Sequence, residues 1–462
     1  MKIKIKNLGP IKQAEFSLGD LTIICGGNNT GKTYATYALF GFLSTWRRFV
    51  SIKIDEDKIR ELLAEGVIRL DIQEYVKNLD RIVAQGCQEY ILQLPEKILA
   101  SSAEYFKDTD FQVVLDTSEI QLPETFDRTL STRDMEVFSI IKNQKSTDII
   151  VTFLEEKEKT KIPDELLKTI ISEALKDIIF TRFFPRPFIA SVERTGAVIF
   201  RKELDFARNR LLKEMAKVEK EFDPMELFFK EYNDYALPIE KNVDFTRKLE
   251  TIAKKNSIIH EKYPDILNDF TDIIGGEYTV TRDDEIHYIP KGKKIKLSMG
   301  ESSSAVRSLL DIGFYLRHEA RLGDLLIVDE PELNLHPENQ RRMARLFARL
   351  VNIGIKVFIT THSDYIIKEL NTLIMLNHDK PHLKRIAERE GYRAEELLSA
   401  DKVKVYVAEE APVKLEGKTR KTKVLTLVQA KIDPELGIEV SSFDKTIETM
   451  NRIQSEIVWG ED

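Results

Sequence analysis

Cysteine is scarce in this chain: 462 residues include two, Cys25 and Cys87. One lies in an apolar strand-like segment and the other in a helical region, so a disulfide framework is excluded. Such low cysteine use is expected of a cytoplasmic protein. Long apolar runs are missing as well, and no stretch approaches the ~18 residues of a membrane span. The opening Met1-Lys2-Ile3-Lys4-Ile5-Lys6 alternates like an amphipathic strand and lacks the apolar stretch of a signal peptide. There is no excess of positive charge: the formal net charge of −7 excludes a generally basic nucleic-acid binder. Local basic tracks remain open, because phosphate contacts depend on patches and not on totals. Lys291, Lys293, Lys294 and Lys296 form one such cluster; Lys414, Lys418, Arg420, Lys421 and Lys423 decorate a hairpin-like segment further on. Each also reads as a solvated strand face. Internal repeats, low-complexity tracts and sustained heptads are lacking too, which argues against a full coiled-coil arm.

What is present is globular composition, 42% hydrophobic and 32% charged, over a length that predicts one large core with inserted subdomains. The most informative run is Gly26-Gly27-Asn28-Asn29-Thr30-Gly31-Lys32-Thr33, which matches the spacing G-x-x-x-x-G-K-[ST]. It follows the apolar Leu21-Thr22-Ile23-Ile24-Cys25 and precedes a helix-like run from Tyr34 to Leu43, the context in which this motif binds nucleotide phosphates. Glycines let successive N–H groups turn toward phosphate oxygens, and the helix N-terminus adds partial positive charge. Lys32 is expected to reach the β- and γ-phosphates of ATP, and the Thr33 hydroxyl to hold Mg²⁺.

A second segment, Asp324-Leu325-Leu326-Ile327-Val328-Asp329-Glu330-Pro331, reads as a buried parallel strand with chemistry at its C-terminal tip. Beside a phosphate loop, Asp329 is expected to hold the Mg²⁺ shell and Glu330 to polarise the attacking water as general base. A solvated pair of acids at a strand end is the plain alternative.

Leu297-Ser298-Met299-Gly300-Glu301 nearly matches the LSGGQ signature of ABC-type ATPases and precedes a helix-like run, Ser303 to Leu316. Ser298 and the backbone at Gly300 could bind a γ-phosphate at that helix N-terminus, although a serine-rich cap would look the same. Val357-Phe358-Ile359-Thr360-Thr361-His362-Ser363-Asp364 is another apolar strand, ending in a histidine where ABC-type enzymes keep a switch histidine. The order of these four motifs resembles the ABC-type ATPases of the RecF/SMC/OLD group. Glu330-Pro331-Glu332-Leu333-Asn334-Leu335-His336-Pro337 looks like the segment after the catalytic glutamate in OLD-like defence ATPases, and Phe188 to Thr195 and the hairpin-like Gly275 to Lys296 also resemble that group. The signature departs from consensus at Met299 and Glu301. No Q-loop glutamine stands out among Gln112, Gln121 and Gln144.

The resemblance implies an α/β fold: an ABC-type P-loop core, a mixed sheet flanked by helices, with helical insertions. Mapped on the chain, residues 1–50 form the lobe with the phosphate loop and 51–180 a mainly helical insertion with some core strands. Residues 181–203 return to the core, and 204–274 form a second helical insertion. Residues 275–378 carry the signature, the carboxylates and His362, while 379–462 form a C-terminal α/β extension. Helices are expected over Ile52 to Leu63, Ile72 to Val83, Ile91 to Ala100, Leu204 to Phe222, Lys384 to Leu398 and Phe443 to Val458. Phe111 to Leu115 and Asp148 to Phe153 are expected as strands that extend the antiparallel half of the core.

The resemblance further implies that the signature acts on a second copy of the chain. Two subunits would sandwich two ATP molecules, with Asn334 and His336 at the dimer seam. OLD-type nucleases add a Toprim domain with an Asp-x-Asp pair; residues 379–462 have none, so the chain is expected to lack its own nuclease. The implied function is an ATPase sensor or scaffold controlling a separate effector, such as a Toprim or HNH nuclease. Two-gene anti-phage systems such as PARIS and Septu contain comparable subunits. The alternative is a RecF-like repair ATPase binding duplex DNA across the closed dimer.

Overall fold

The computed structural model describes residues 1–116, 120, 122–131, 136–154, 163–200, 235–281, 285–439 and 449–457. Its contacts divide the chain into two compact units. One comprises Met1–Lys4, Phe42–Gln93 and Phe111–Pro185; the other comprises Ile5–Gly41, Leu94–Asp110 and Arg186–Asp462.

The larger unit is built on a six-stranded mixed sheet. Its order is Thr422–Gln429, Val403–Val413, Leu21–Gly26, Lys356–Thr361, Leu325–Asp329, Pro187–Ala190. Five strands run parallel, and Thr422–Gln429 closes one edge antiparallel to Val403–Val413. The strands Leu21–Gly26 and Leu325–Asp329 are buried at every position, which is why they read as continuous apolar runs and not as alternation. Leu21, Ile23, Val357 and Ile359 share one core with side chains of the helices Pro337–Asn352 and Asp364–Met375. Strand periodicity places Phe358 and Tyr406 on the opposite face, where both rings meet Phe16 at about 6 Å. Pro337 at the first turn and His336 as cap start the helix Pro337–Asn352.

Val403–Val413 is the unexpected member of this sheet. Sequence placed it in an extension beyond the core, yet it pairs with the loop strand from Val403↔Leu21 to Ala408↔Gly26. The pairing joins segments almost four hundred residues apart, which no local pattern can announce. A Cβ on Gly26 would lie 2.6 Å from the Ala408 carbonyl oxygen, and Gly26 has φ +136°. Glycine is therefore required there by strand contact as well as by backbone conformation.

The smaller unit combines helices with a four-stranded antiparallel sheet ordered Val67–Asp71, Asp148–Phe153, Glu136–Lys142, Phe126–Ser131. Asp148–Phe153 is thus a strand as expected, and it pairs antiparallel with Val67–Asp71 and Glu136–Lys142 in this sheet. Phe42, Trp46, Tyr90, Phe111, Phe180 and Phe184 form an aromatic cluster in this unit, with ring centroids 4.9–5.6 Å apart.

Helix limits differ from expectation for identifiable reasons. The helix expected from Ile52 begins at Glu56, because Asp55 caps it by accepting the Asp57 N–H. The helix Ser303 to Leu316 is broken into Ser304–Ser308 and Leu310–Phe314, followed by a wider turn over Tyr315–Glu319. The expected Leu204 to Phe222 helix and Gln121 lie outside the described residues; of Phe443 to Val458, residues 449–457 are described and helical. Among the described residues no helix is long and apolar enough to cross a membrane.

Candidate functional site

The parallel strands end together. Register sets Thr361 beside Cys25, Asp329 beside Thr360, and Ala190 beside Val328, so the segments that follow these strands emerge at one edge of the sheet. In open parallel sheets that edge is where ligands bind.

The phosphate loop leaves the central strand at Gly26 and enters an 18-residue helix at Lys32. Asn29 and Gly31 take left-handed conformations, and a Cβ on Gly31 would meet Ile11 at 2.7 Å. Gly27, Asn28 and Asn29 are exposed, while Gly31 and Lys32 are buried. The Thr30 hydroxyl donates to the Gly27 carbonyl at 2.8 Å, closing the loop on itself. The Lys32 ammonium donates to the carbonyls of Gly26 and Gly27 at 3.1 and 2.7 Å. Burial pulls its pKa below the ordinary lysine value, opposed by the charges of Glu330, Asp329 and Glu332.

Asp329 is 1% exposed, and its Oδ1 accepts the Thr360 hydroxyl. Burial lifts its carboxyl to about 6, opposed by the Thr360 and Thr33 hydroxyls. Oδ2 is buried and has no hydrogen-bond partner. An unpartnered carboxylate oxygen with the Thr33 hydroxyl near the same group is a donor set suited to Mg²⁺. Among the described residues no group of three or more His, Cys, Asp or Glu is arranged to hold a metal unaided. Nucleotide and water oxygens would complete the shell, the usual arrangement for Mg²⁺ with phosphates.

Glu330 has φ +51°, an unusual conformation for a residue with a side chain. Its N–H donates to the Thr360 carbonyl at 3.0 Å, and its own carbonyl accepts from Arg194 at 2.9 Å. His362 is half-exposed, with Nδ1 3.6 Å from Glu330 and 3.2 Å from Glu332. Both lysine and histidine therefore face the same carboxylates.

Ser298 and Gly300 have other partners. Among the described residues, their polar contacts run to Glu301, Ser302, Arg307 and the strand partner His287. Glu301 caps the Ser298 N–H and hydroxyl at 2.8 and 2.7 Å, and these bonds pull its carboxyl pKa down. Asn334 has φ +62°, and His336 Nδ1 accepts the Glu338 N–H. Of the Q-loop candidates, Gln112 lies on the strand Asp110–Val114 and Gln144 donates to Glu124.

Several residues of the site were not singled out from sequence. Glu332 is buried and accepts the Thr361 hydroxyl at 2.9 Å and the His362 N–H at 2.8 Å. The Tyr37 hydroxyl donates to Glu193 at 2.9 Å. Arg307 donates to the carbonyls of Met299 and Ser302, bracing the signature turn. Arg194 is fully buried and reaches the carbonyls of Ser191, Ser308, Asp329 and Glu330. An arginine in an otherwise apolar-flanked segment, Ile189 to Ile199, is the one sequence signal that could have marked it.

A glycine-rich phosphate loop, a lysine and a strand-end carboxylate pair on one edge of a parallel sheet define a nucleotide-binding α/β ATPase core. The AAA ATPase domain family matches the chain over residues 1–367, and the chain belongs to that family. Nucleotide binding and ATPase activity follow at that level. Solved structures with similarity include the Smc head bound to the C-winged helix domain of ScpA, at 12% identity and TM-score 0.33, covering 93% of this chain and 97% of that one. Another is the Pyrococcus furiosus Smc head with an extended coiled coil, bound to the C-terminal domain of ScpA: 12% identity, TM-score 0.30, 98% of each chain. The SMC head domain from Thermotoga maritima is similar at 8% identity and TM-score 0.30, over 93% of this chain and 98% of that one. No curated protein gave a match.

Proposed function

We propose that the chain is an ABC-type ATPase that closes as a dimer around two ATP molecules. In each site Gly26 to Lys32 cradle the phosphates, and Thr33 and Asp329 hold Mg²⁺. Glu330 takes the proton of the attacking water, and His362 faces the γ-phosphate. Ser298 and Gly300 come from the second copy. The cation, when bound, neutralises phosphate charge; water activation belongs to Glu330.

The observation that supports this most is the asymmetry of the site. Lys32, Asp329, Glu330 and His362 converge at one sheet edge, while the hydrogen bonds of the Ser298 hydroxyl and N–H run to Glu301 in its own turn. A chain that has both halves of a γ-phosphate grip without joining them is suited to joining them between copies.

The role of the dimer is proposed from the resemblance of Glu330 to Pro337 to defence ATPases: a sensor or scaffold whose nucleotide state controls a separate nuclease. The test is Glu330→Gln. It should bind ATP as the parent does, release phosphate at least ~100-fold more slowly, and run as a dimer only with Mg-ATP. Parental turnover in this variant would remove Glu330 as the base. A nuclease encoded beside this chain should co-purify with the ATP-bound dimer; a dimer that instead binds duplex DNA and is stimulated by it would favour a repair role.

A further inference from the structure

Arg194 joins three parts of the molecule that are distant in sequence. Its Nε donates to the Ser308 carbonyl at 2.7 Å, and Nη1 donates to the carbonyls of Ser191 and Asp329, each at 2.7 Å. Nη2 donates to the Glu330 carbonyl at 2.9 Å. Four of the five guanidinium N–H groups are thereby used on backbone oxygens. The guanidinium is completely buried, and Asp311, three residues past Ser308, leads the carboxylates whose charge offsets it.

These contacts bear on a backbone that would not hold its shape alone. A left-handed residue with a side chain costs of order 1–2 kcal/mol and persists when its surroundings impose it. At Glu330 the imposing groups are the Thr360 carbonyl on one side and Arg194 on the other. The Nε edge of the guanidinium touches Ser308, the last residue of the helix that follows the signature turn. That turn is not loose on its helix. Arg307 bonds the Met299 and Ser302 carbonyls, and the Ser302 hydroxyl bonds the Ser298 carbonyl at 2.8 Å. Ser308 also donates its hydroxyl to the Leu333 carbonyl at 3.3 Å, just beyond Glu330.

We propose that Arg194 is a positioning residue that couples the Ser298 turn to Glu330, so that capture of a γ-phosphate by the turn sets the backbone of the general base. The coupling rests on the reading above in which that phosphate belongs to the second copy. It makes hydrolysis conditional on closure: an unengaged turn leaves Glu330 less firmly placed, and an engaged one fixes it through Ser308 and the guanidinium.

The test is a double-mutant cycle on turnover, because coupling is shown by non-additivity and not by proximity. Arg194→Lys keeps the charge but offers three donors from one point, which cannot span four carbonyls. It should melt cooperatively and keep KM for ATP within about threefold, while kcat falls about tenfold or more, the signature of an interaction made in the transition state. Ser298→Ala should also lower kcat, and the double variant should be little slower than the worse single one. Parental kcat in Arg194→Lys, or losses that multiply in the double variant, would overturn the coupling. If Arg194→Lys fails to fold, Arg307→Ala, which cuts the turn from its helix, takes its place in the cycle with the same two outcomes. Glu330→Gln with Arg194 intact separates the two ideas. If it stays monomeric with Mg-ATP, the dimer reading fails and takes the relay with it; if it dimerises while the losses multiply, the relay alone fails.

Discussion

Replacing Glu332 separates the two things its carboxylate does. Oε1 accepts the Thr361 hydroxyl at 2.9 Å and the His362 N–H at 2.8 Å, and His362 Nδ1 lies 3.2 Å away. Thr361 is fully buried, so Glu332→Ala takes away the acceptor of its hydroxyl proton, although the oxygen still accepts the Ser363 N–H at 3.0 Å, and removes the acceptor of the His362 N–H. Each stranded donor costs about 1–3 kcal/mol, for a gross loss of about 2–6 kcal/mol. His362 is half-exposed, so water takes up part of what the loss of Glu332 costs that residue. The expected net loss is therefore near the lower end, about 2–3 kcal/mol. Glu332→Gln keeps an acceptor in place and should cost less than about 1 kcal/mol. Its turnover should nonetheless fall about tenfold, since a hydrogen bond to a charged acceptor is worth about 1.5–3 kcal/mol and His362 loses that charge. Calorimetric melting and steady-state phosphate release measure the two effects. An Ala variant as stable as the parent, or a Gln variant as unstable as Ala, would refute the acceptor argument.

Three other outcomes are expected. Burial lifts the Asp329 carboxyl from 3.8 to about 6, so the folded chain holds a proton that the unfolded chain releases between those values. Nucleotide-free stability should accordingly fall as pH rises from about 4 to 6, by about 3 kcal/mol from this group. Asp329→Asn should erase that loss, melting higher than the parent at pH 7–8 in chelator and like it below about pH 4; identical curves would contradict the burial argument. Removing residues 379–462 takes away the strand paired with Leu21–Gly26, so the fragment should not melt cooperatively even though it keeps residues 1–367 of the family match. A soluble, ATP-binding fragment would show that pairing to be dispensable. Lys32→Ala should abolish ATP binding as read by calorimetric titration.

The parts of the site legible in the sequence are those encoded in short windows. Leu21 to Thr33, Asp324 to Glu330 and Val357 to His362 each carry an apolar strand and its terminal chemistry within about a dozen residues, so strand type and reactive tip are read together. Arg194 and Glu332 were quoted as parts of family-like phrases, but their partners at Asp329, Thr361 and His362 are set by sheet register and the one at Ser308 by helix packing. Register is a tertiary property and leaves no local trace. For the same reason the sequence showed a strand from Val403 but not its partner, and a strand over Asp148–Phe153 but not the strands it would pair with. The helix start at Glu56 shows a smaller failure. Apolar spacing from Ile52 suggested helix, but the cap at Asp55 decided the boundary.

Mixing two inactive chains tests the shared site most directly. Lys32→Ala lacks a phosphate grip but keeps its signature turn; Ser298→Arg keeps the grip and spoils the turn. If one γ-phosphate is held by both copies, random mixed dimers contain one complete site of two, and the mixture should recover about a quarter of parental turnover. Activity no greater than the sum of the separate inactive chains would contradict a site built from two subunits.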